Sequence, residues 1–353
     1  MVSHAEQLAK ELNLPLKNVE GAIALIDGGN TSPFIARYRK EATGAMDDQV
    51  LRSLGDRLQY LRGLDLRKAE VTASIEGQNA MTPELAAAIG GAATLAEVED
   101  LYRPYKPKRR TRAGIARARG LQPLADAILA QDAAFDPDAA AAAYCNEEVP
   151  DAAAALAGAR DIIAETVSDD ARCRAELRRY YHAFGVVRSV QAKQEDSVYA
   201  QYYDSAEPVS KIPGHRILAL DRGEREGFLK VSIEVDPERA AAITAWMFAR
   251  KKTGGASALL VEAAARDAYT RLIHPSLENE LRAELTDKAA EGAIAVFGEN
   301  LRQLLLQPPI RGKTVMGLDP GYRMGCKVAV VDPTGKVLDT AVVYPTYGPR
   351  QKQ

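Results

Sequence analysis

Apolar residues recur at helical spacing along the first half of the chain. Leu8 and Leu12 mark one short helix, and Val19, Ile23 and Ile26 mark a second that Gly28-Gly29-Asn30 stops. Leu51, Leu54, Leu58 and Leu61 follow Asp47, a residue suited to capping a helix N-terminus. Thr82-Pro83 reads as a cap with a first-turn proline. Thr94-Leu95-Ala96-Glu97 reads as a capping box whose helix ends before Pro104. Ser168-Asp169-Asp170 opens a helix that runs to Gly185. Residues 1–185 are therefore expected to form a multi-helical region.

The period changes at Val186. Segments 186–198 and 216–235 are richer in β-branched and alternating positions, first Ile217, Leu218 and Leu220, then Leu229, Val231, Ile233 and Val235. They predict a small strand-containing insert over 186–237. Helical period returns over 238–310. There Leu277, Leu281, Leu285, Ile294, Phe297, Leu301 and Leu304 predict a long spine helix, capped by Ser276 and ended by Pro308-Pro309. Thirty residues of helix would reach ~45 Å. The Ala-rich stretch 139–157 reads as surface helix. From Thr314 the period is two, and segments 314–319, 325–331 and 337–344 predict an antiparallel meander over 311–353. Asp332-Pro333-Thr334-Gly335 fits its type I turn. The fold class expected is mainly α with a small α+β part.

Composition narrows the chemistry. A length of 353 residues suggests two or three domains. The net charge of −2 gives no global attraction to nucleic acid, so any such affinity must come from local segregation of charge. Cys145, Cys173 and Cys326 form no CxxC pair, and His4, His182, His215 and His274 are scattered, so reduced thiols and no zinc site are expected. The N-terminus lacks a signal pattern, and no apolar run approaches the ~20 residues of a membrane helix. A cytoplasmic location is expected. Gly312-Lys313-Thr314 resembles the end of a P-loop, but Gln307 stands where a glycine is required. No nucleotide or other cofactor is expected.

Two motifs carry candidate chemistry. Arg103, Lys106, Lys108, Arg109, Arg110, Arg112, Arg117 and Arg119 form a run without an acid, with Tyr102 and Tyr105 beside it. The prolines Pro104 and Pro107 favour an extended chain, which suits contact with a phosphate backbone and some base stacking. Four such contacts on duplex would give a log K against log salt slope of about −3.6. The competing reading has these cations pinned on Glu97, Glu99 and Asp100, and the two are compatible. A third segment, Phe34 to Glu41, carries cations around an aromatic; its plainer reading packs Phe34, Ile35 and Tyr38 inward.

The second motif is Asp319 at a strand tip before Pro320-Gly321, the way RNase H-like metal sites begin. Two-metal chemistry needs converging carboxylates. Asp332 lies roughly 23 Å away along the next strand, and Asp339 sits nearer that far end. Asp319 is thus a vestigial candidate, and its plainer role is to cap the following turn.

Phe34-Ile35-Ala36-Arg37-Tyr38-Arg39-Lys40-Glu41-Ala42-Thr43-Gly44, the stretch from Asp100 to Arg112, His215-Arg216-Ile217-Leu218-Ala219, Arg222-Gly223-Glu224 and Gly317-Leu318-Asp319-Pro320-Gly321-Tyr322-Arg323 resemble the Tex family. These are bacterial transcription accessory proteins related to a eukaryotic elongation factor. The resemblance implies a helical N-terminal region with a helix-turn-helix-like unit, then a YqgF, RNase H-like domain that this chain only begins. It implies helix-hairpin-helix modules and an S1 domain beyond this chain. It also implies RNA, and secondarily DNA and the transcription machinery, as partners, with no enzymatic activity. The alternative is a metal-dependent nuclease of the resolvase type.

Overall fold

The computed structural model describes residues 3–195, 197–250, 255–308, 310–321 and 325–344. The chain divides into two compact units, Met1–Leu285 and Thr286–Gln353. Helices dominate, and the strands form two three-stranded antiparallel sheets. The fold is mainly α with a small α+β part, as the periodicity indicated.

The first unit begins with helices His4–Glu11, Leu16–Asp27 and Ser32–Tyr38, packed on the 29-residue helix Asp48–Glu76, and the short helix Lys40–Thr43, packed on the second and third of them. Local caps set the boundaries. Ser3 and Glu6 form a capping box, and Asp47 accepts from the Val50 amide at 2.8 Å. Leu8, Val19, Ala22, Ile35, Leu51, Leu54, Leu58 and Leu61 fill one core cluster. Further along the long helix, Leu64, Val71 and Ile75 join Ile89, Val98 and Tyr102 in a second cluster. Of Phe34, Ile35 and Tyr38, only Ile35 is buried. Phe34 and Tyr38 are exposed and pack on each other at 5.2 Å, with Arg39 over the Phe34 ring. A seven-residue helix has one buried stripe, and Ile35 occupies it.

Thr82 caps helix Pro83–Gly91, and Thr94 caps helix Leu95–Tyr102. The Glu97 carboxylate accepts from the Ala93 amide at 2.6 Å, one residue before the box position.

The Ala-rich stretch 139–157 is mostly exposed or half-buried, with Ala141, Val149 and Ala155 buried, whereas the rest of helix Ala152–Asp169 turns into the core. Ala155, Ala159, Ile162, Ile163 and Val167 are fully buried. It packs against helices Arg112–Ala118, Gln122–Ala130 and Gly255–Ala268. Small side chains let neighbours close in: a Cβ at Gly158 would stand 2.4 Å from Leu121 Cδ1. Asp170 caps the next helix, Ala171–Phe184, whereas Ser168 and Asp169 end the previous one. Cys173 lies buried in that first turn, and burial pushes its thiol up to about 12. Thiolate is the reactive form. In the native protein a thiol reagent is therefore expected to label exposed Cys145 and spare Cys173 until denaturant is added, a difference mass spectrometry of labelled peptides reads. Labelling of Cys173 at the rate of Cys145 would contradict this burial.

Strands Val186–Gln191 (β1), Asp204–Pro208 (β2) and Leu229–Glu234 (β3) form a sheet in the order β2-β1-β3. Segment Gly214–Arg225, expected as strand, is a helix. Its buried residues Ile217, Leu220 and Gly223 recur every third position and face β3. Three-residue spacing is helical, and the β-branched content of its neighbours masked it.

Helix Gly255–Ala268 runs through a π-helical turn, Tyr269–Ile273, into the 32-residue helix His274–Leu305. Ser276 is therefore inside a continuous helical stretch and does not cap it. In the second unit, strands Val315–Asp319 (β4), Cys326–Val331 (β5) and Val337–Val343 (β6) form the expected meander, ordered β4-β5-β6. Asp332 holds the β5–β6 turn: its carbonyl accepts from the Gly335 amide at 3.0 Å and its carboxylate from the Thr334 amide at 2.8 Å.

Candidate nucleic-acid interface

The basic run is not one extended strand. Arg103–Tyr105 is a 3₁₀ turn on the end of helix Leu95–Tyr102. Residues 106–110 carry no regular structure, and Thr111 then caps helix Arg112–Ala118 by accepting from the Gly114 amide at 2.9 Å. Proline at the second place of the first turn is compatible with helix, so Pro104 did not force extension. Tyr102 is buried, its hydroxyl 2.9 Å from Ser74 Oγ. Tyr105 is half-buried against the Ile75 and Val98 cluster, and its carbonyl accepts from Gln78 at 3.0 Å.

The structure sorts the eight cations into two groups. Five meet carboxylates. Arg103 donates to Ser276 Oγ at 3.3 Å and lies 4.0 Å from Asp169; burial and the nearby Arg174 push its guanidinium below the usual value. Lys106 is 3.6 Å from Glu99. Lys108 bonds Asp169 and lies 3.6 Å from Glu165. Arg117 donates to Glu165 at 2.5 Å, and Arg119 is 3.9 Å from Glu148. Burial works to raise the Glu165 carboxyl, but Arg117 and Lys108 override it and hold it below the usual carboxylate range. The other three cations, Arg109, Arg110 and Arg112, are exposed. Among the described residues no carboxylate lies within 4.0 Å of them.

The acids that pin the run differ from those expected. Of Glu97, Glu99 and Asp100, only Glu99 does so. Glu97 caps its own helix, and Asp100 is taken by Arg174 at 2.6 Å and Arg178 at 2.7 Å. The carboxylates that matter, Glu165 and Asp169, sit one turn apart on a helix 48 and 61 residues downstream of their partners. Their i,i+4 spacing was visible in the sequence; the direction they faced was not.

Beneath the run lies a buried ionic clamp. Arg174 is 1% exposed and Asp100 is 4% exposed. Glu280 completes the clamp by bonding Arg178 and, at 3.2 Å, Arg174. Ser276 Oγ accepts from both Arg103 and Arg174. Three helices and the turn that starts the basic run are thus tied through one set of charges.

Asp319 ends β4, is exposed, and pairs in register with Lys327. The backbone amides of residues 322–324, which the turn-capping reading invokes, lie outside the described residues. Asp339 pairs with Val330, and Asp332 follows Val331, which pairs with Val315, so both sit at the other end of the sheet. Among the described residues, no group of three or more His, Cys, Asp and Glu could hold a metal ion. No helix among them is long and apolar enough to cross a membrane.

Family models match in three places: the Tex-like protein N-terminal domain over residues 2–76, the Tex central region over 132–297 and the Tex protein YqgF-like domain over 313–353. The chain is 46% identical to Protein tex of Bordetella pertussis over 370 residues, covering 99% of this chain and 46% of that protein. It is 44% identical to the transcriptional accessory protein Tex of Neisseria gonorrhoeae over 344 residues, covering 96% of this chain and 45% of the other. The S1 RNA-binding domain-containing protein 1 of Homo sapiens is 30% identical over 340 residues, 91% of this chain and 34% of its own length. The chain spans about half the length of the bacterial relatives it matches.

Proposed function

The chain belongs to the Tex family, and from that premise we propose that it is a cytoplasmic, non-enzymatic helical scaffold that contacts nucleic acid through Arg109, Arg110 and Arg112. One observation carries the reading. Arg103, Lys106, Lys108, Arg117 and Arg119 are engaged by carboxylates, and they hold up a short segment whose three remaining guanidinium groups face solvent, with no carboxylate within 4.0 Å among the described residues. A fixed segment with free arginines loses little freedom on meeting phosphates, and guanidinium suits bidentate phosphate contact. The relatives named as transcription accessory and S1 RNA-binding proteins support a place beside RNA and the transcription machinery. The alternative, a resolvase-type nuclease, has Asp319 and the YqgF-like match over residues 313–353 in its favour, but no second carboxylate beside Asp319 among the described residues.

The test is binding of single-stranded RNA and of duplex DNA across a salt series. Arg109/Arg110/Arg112→Ala is expected to flatten the log K against log salt slope by about 2.7 on duplex and about 2.1 on single strands. Lys108→Ala, whose charge Asp169 and Glu165 already engage, is expected to leave the slope unchanged. An unchanged slope in the triple variant removes these arginines from the site. In the same incubations with Mg²⁺ or Mn²⁺ the nucleic acid is expected to stay intact. Cleavage abolished by Asp319→Asn would overturn the non-enzymatic part.

A further inference from the structure

Trp246 is the chain's single tryptophan, and it is 80% exposed. It stands near the end of helix Pro237–Phe248, with Ile243 one turn before it and Met247 next to it in the chain. The neighbouring helix, Ala171–Phe184, presents Arg172, Glu176 and Arg179 at one-turn spacing. Together these side chains line an open groove of about 440 Å³.

The two helices run in opposite directions, and their far end shows what a satisfied aromatic looks like here. Arg239 covers the rings of Tyr180 and Phe184 at 5.9 and 5.6 Å. At the near end, among the described residues, neither a ring nor a cation stacks on Trp246. A large exposed indole without a stacking partner is uncommon on a protein surface and marks a contact site more often than a lone aliphatic side chain does. Its surroundings identify the contact. Arg179 is held by Glu176 at 2.7 Å, which leaves that pair neutral. Arg172 is exposed, with no carboxylate within 4.0 Å among the described residues. The groove therefore offers an open π-face, an apolar floor from Ile243 and Met247, and one net positive charge beside it.

The geometry points to a stacking platform for a base of single-stranded nucleic acid, with Trp246 against the base and Arg172 on the adjoining phosphate. Every base has a π-face, so such a platform is tolerant of sequence, and a nearby arginine supplies the charge that follows the backbone. An acidic peptide would be drawn to Arg172 but would meet Glu176 and gain nothing from the indole. The platform shares no residue with the 109–112 segment and is a second contact on the same chain.

Because Trp246 is the only indole, its fluorescence reads this groove directly and no variant is needed for the first measurement. Titrating the full chain with a 12-nucleotide single-stranded RNA is expected to quench the emission, in step with the anisotropy rise of a labelled copy of that RNA. Trp246→Ala, at an exposed position, is expected to weaken RNA binding about tenfold, with Trp246→Phe recovering most of it. Arg172→Ala is expected to weaken the quenching and lower its salt dependence. In Arg109/Arg110/Arg112→Ala the quench is expected to persist, displaced to higher RNA concentration. RNA that binds by anisotropy without changing the tryptophan emission overturns the platform and leaves the arginine segment standing. Quenching by poly-glutamate and not by RNA overturns it in favour of an acidic peptide. Absence of any RNA binding removes both sites.

Discussion

Arg174→Ala is expected to lower folding stability by about 3–5 kcal/mol, the cost typical of removing one partner from a buried ion pair. The substitution leaves Asp100 ionised at 4% exposure with only Arg178 against it. It also removes a donor to Ser276 and to Glu280, so helices Leu95–Tyr102, Ala171–Phe184 and His274–Leu305 lose a shared tie. A domain's whole stability is about 5–15 kcal/mol, so urea unfolding followed by far-UV circular dichroism should show a large fall in midpoint. The double change Arg174→Met with Asp100→Leu is expected to cost much less than the sum of the singles. It removes both charges together and ends the burden of Arg174 Nη1, which is buried without a hydrogen-bond partner among the described residues. A single variant that loses less than about 1 kcal/mol would show that the clamp is solvated in solution.

Gly21→Ala is expected to destabilise by about 1–3 kcal/mol, the usual range for overpacking. A Cβ at Gly21 would stand 2.1 Å from the Ala42 carbonyl oxygen. That atom is backbone, so it cannot swing aside as a side-chain tip can. Helix Leu16–Asp27 or the short helix Lys40–Thr43 must then move. The movement would disturb Gly44, whose φ of 63° closes that short helix in the left-handed region. Gly63 supplies the contrast. It lies exposed in the middle of helix Asp48–Glu76, where an added Cβ would meet nothing within 4 Å. Gly63→Ala is expected to stabilise by roughly 0.5–1 kcal/mol through helix propensity alone. Equal effects from the two substitutions in urea titrations would mean that the close approach at Gly21 is absent.

Both positions show how far sequence reading reaches. Gly21 lies inside a helical pattern that reads correctly, yet nothing in its neighbours announces a carbonyl from another helix. Asp100 was read as one of the acids pinning the basic run; its true partners are 74 and 78 residues away and belong to a different helix. Glu165 and Asp169 reach the basic run because small side chains such as Ala155, Gly158 and Ala159 let their helix sit close among its neighbours, a packing that no local pattern announces.

The sequence by itself settled the features that chemistry within four residues decides. Asp47, Thr82 and Thr94 fixed helix starts, Gly28 and Gly29 fixed a helix end, and Asp332 fixed the β5–β6 turn. It also revealed the run of cations from Arg103 to Arg119, and the motifs of the Tex family. The tertiary structure alone decided which of those cations are spent on carboxylates and which face water, and it alone placed Arg172 beside Trp246. A cap finds its partner along the chain, whereas an ion pair or a groove needs two helices whose relative rotation is set by packing, and no local pattern encodes that rotation.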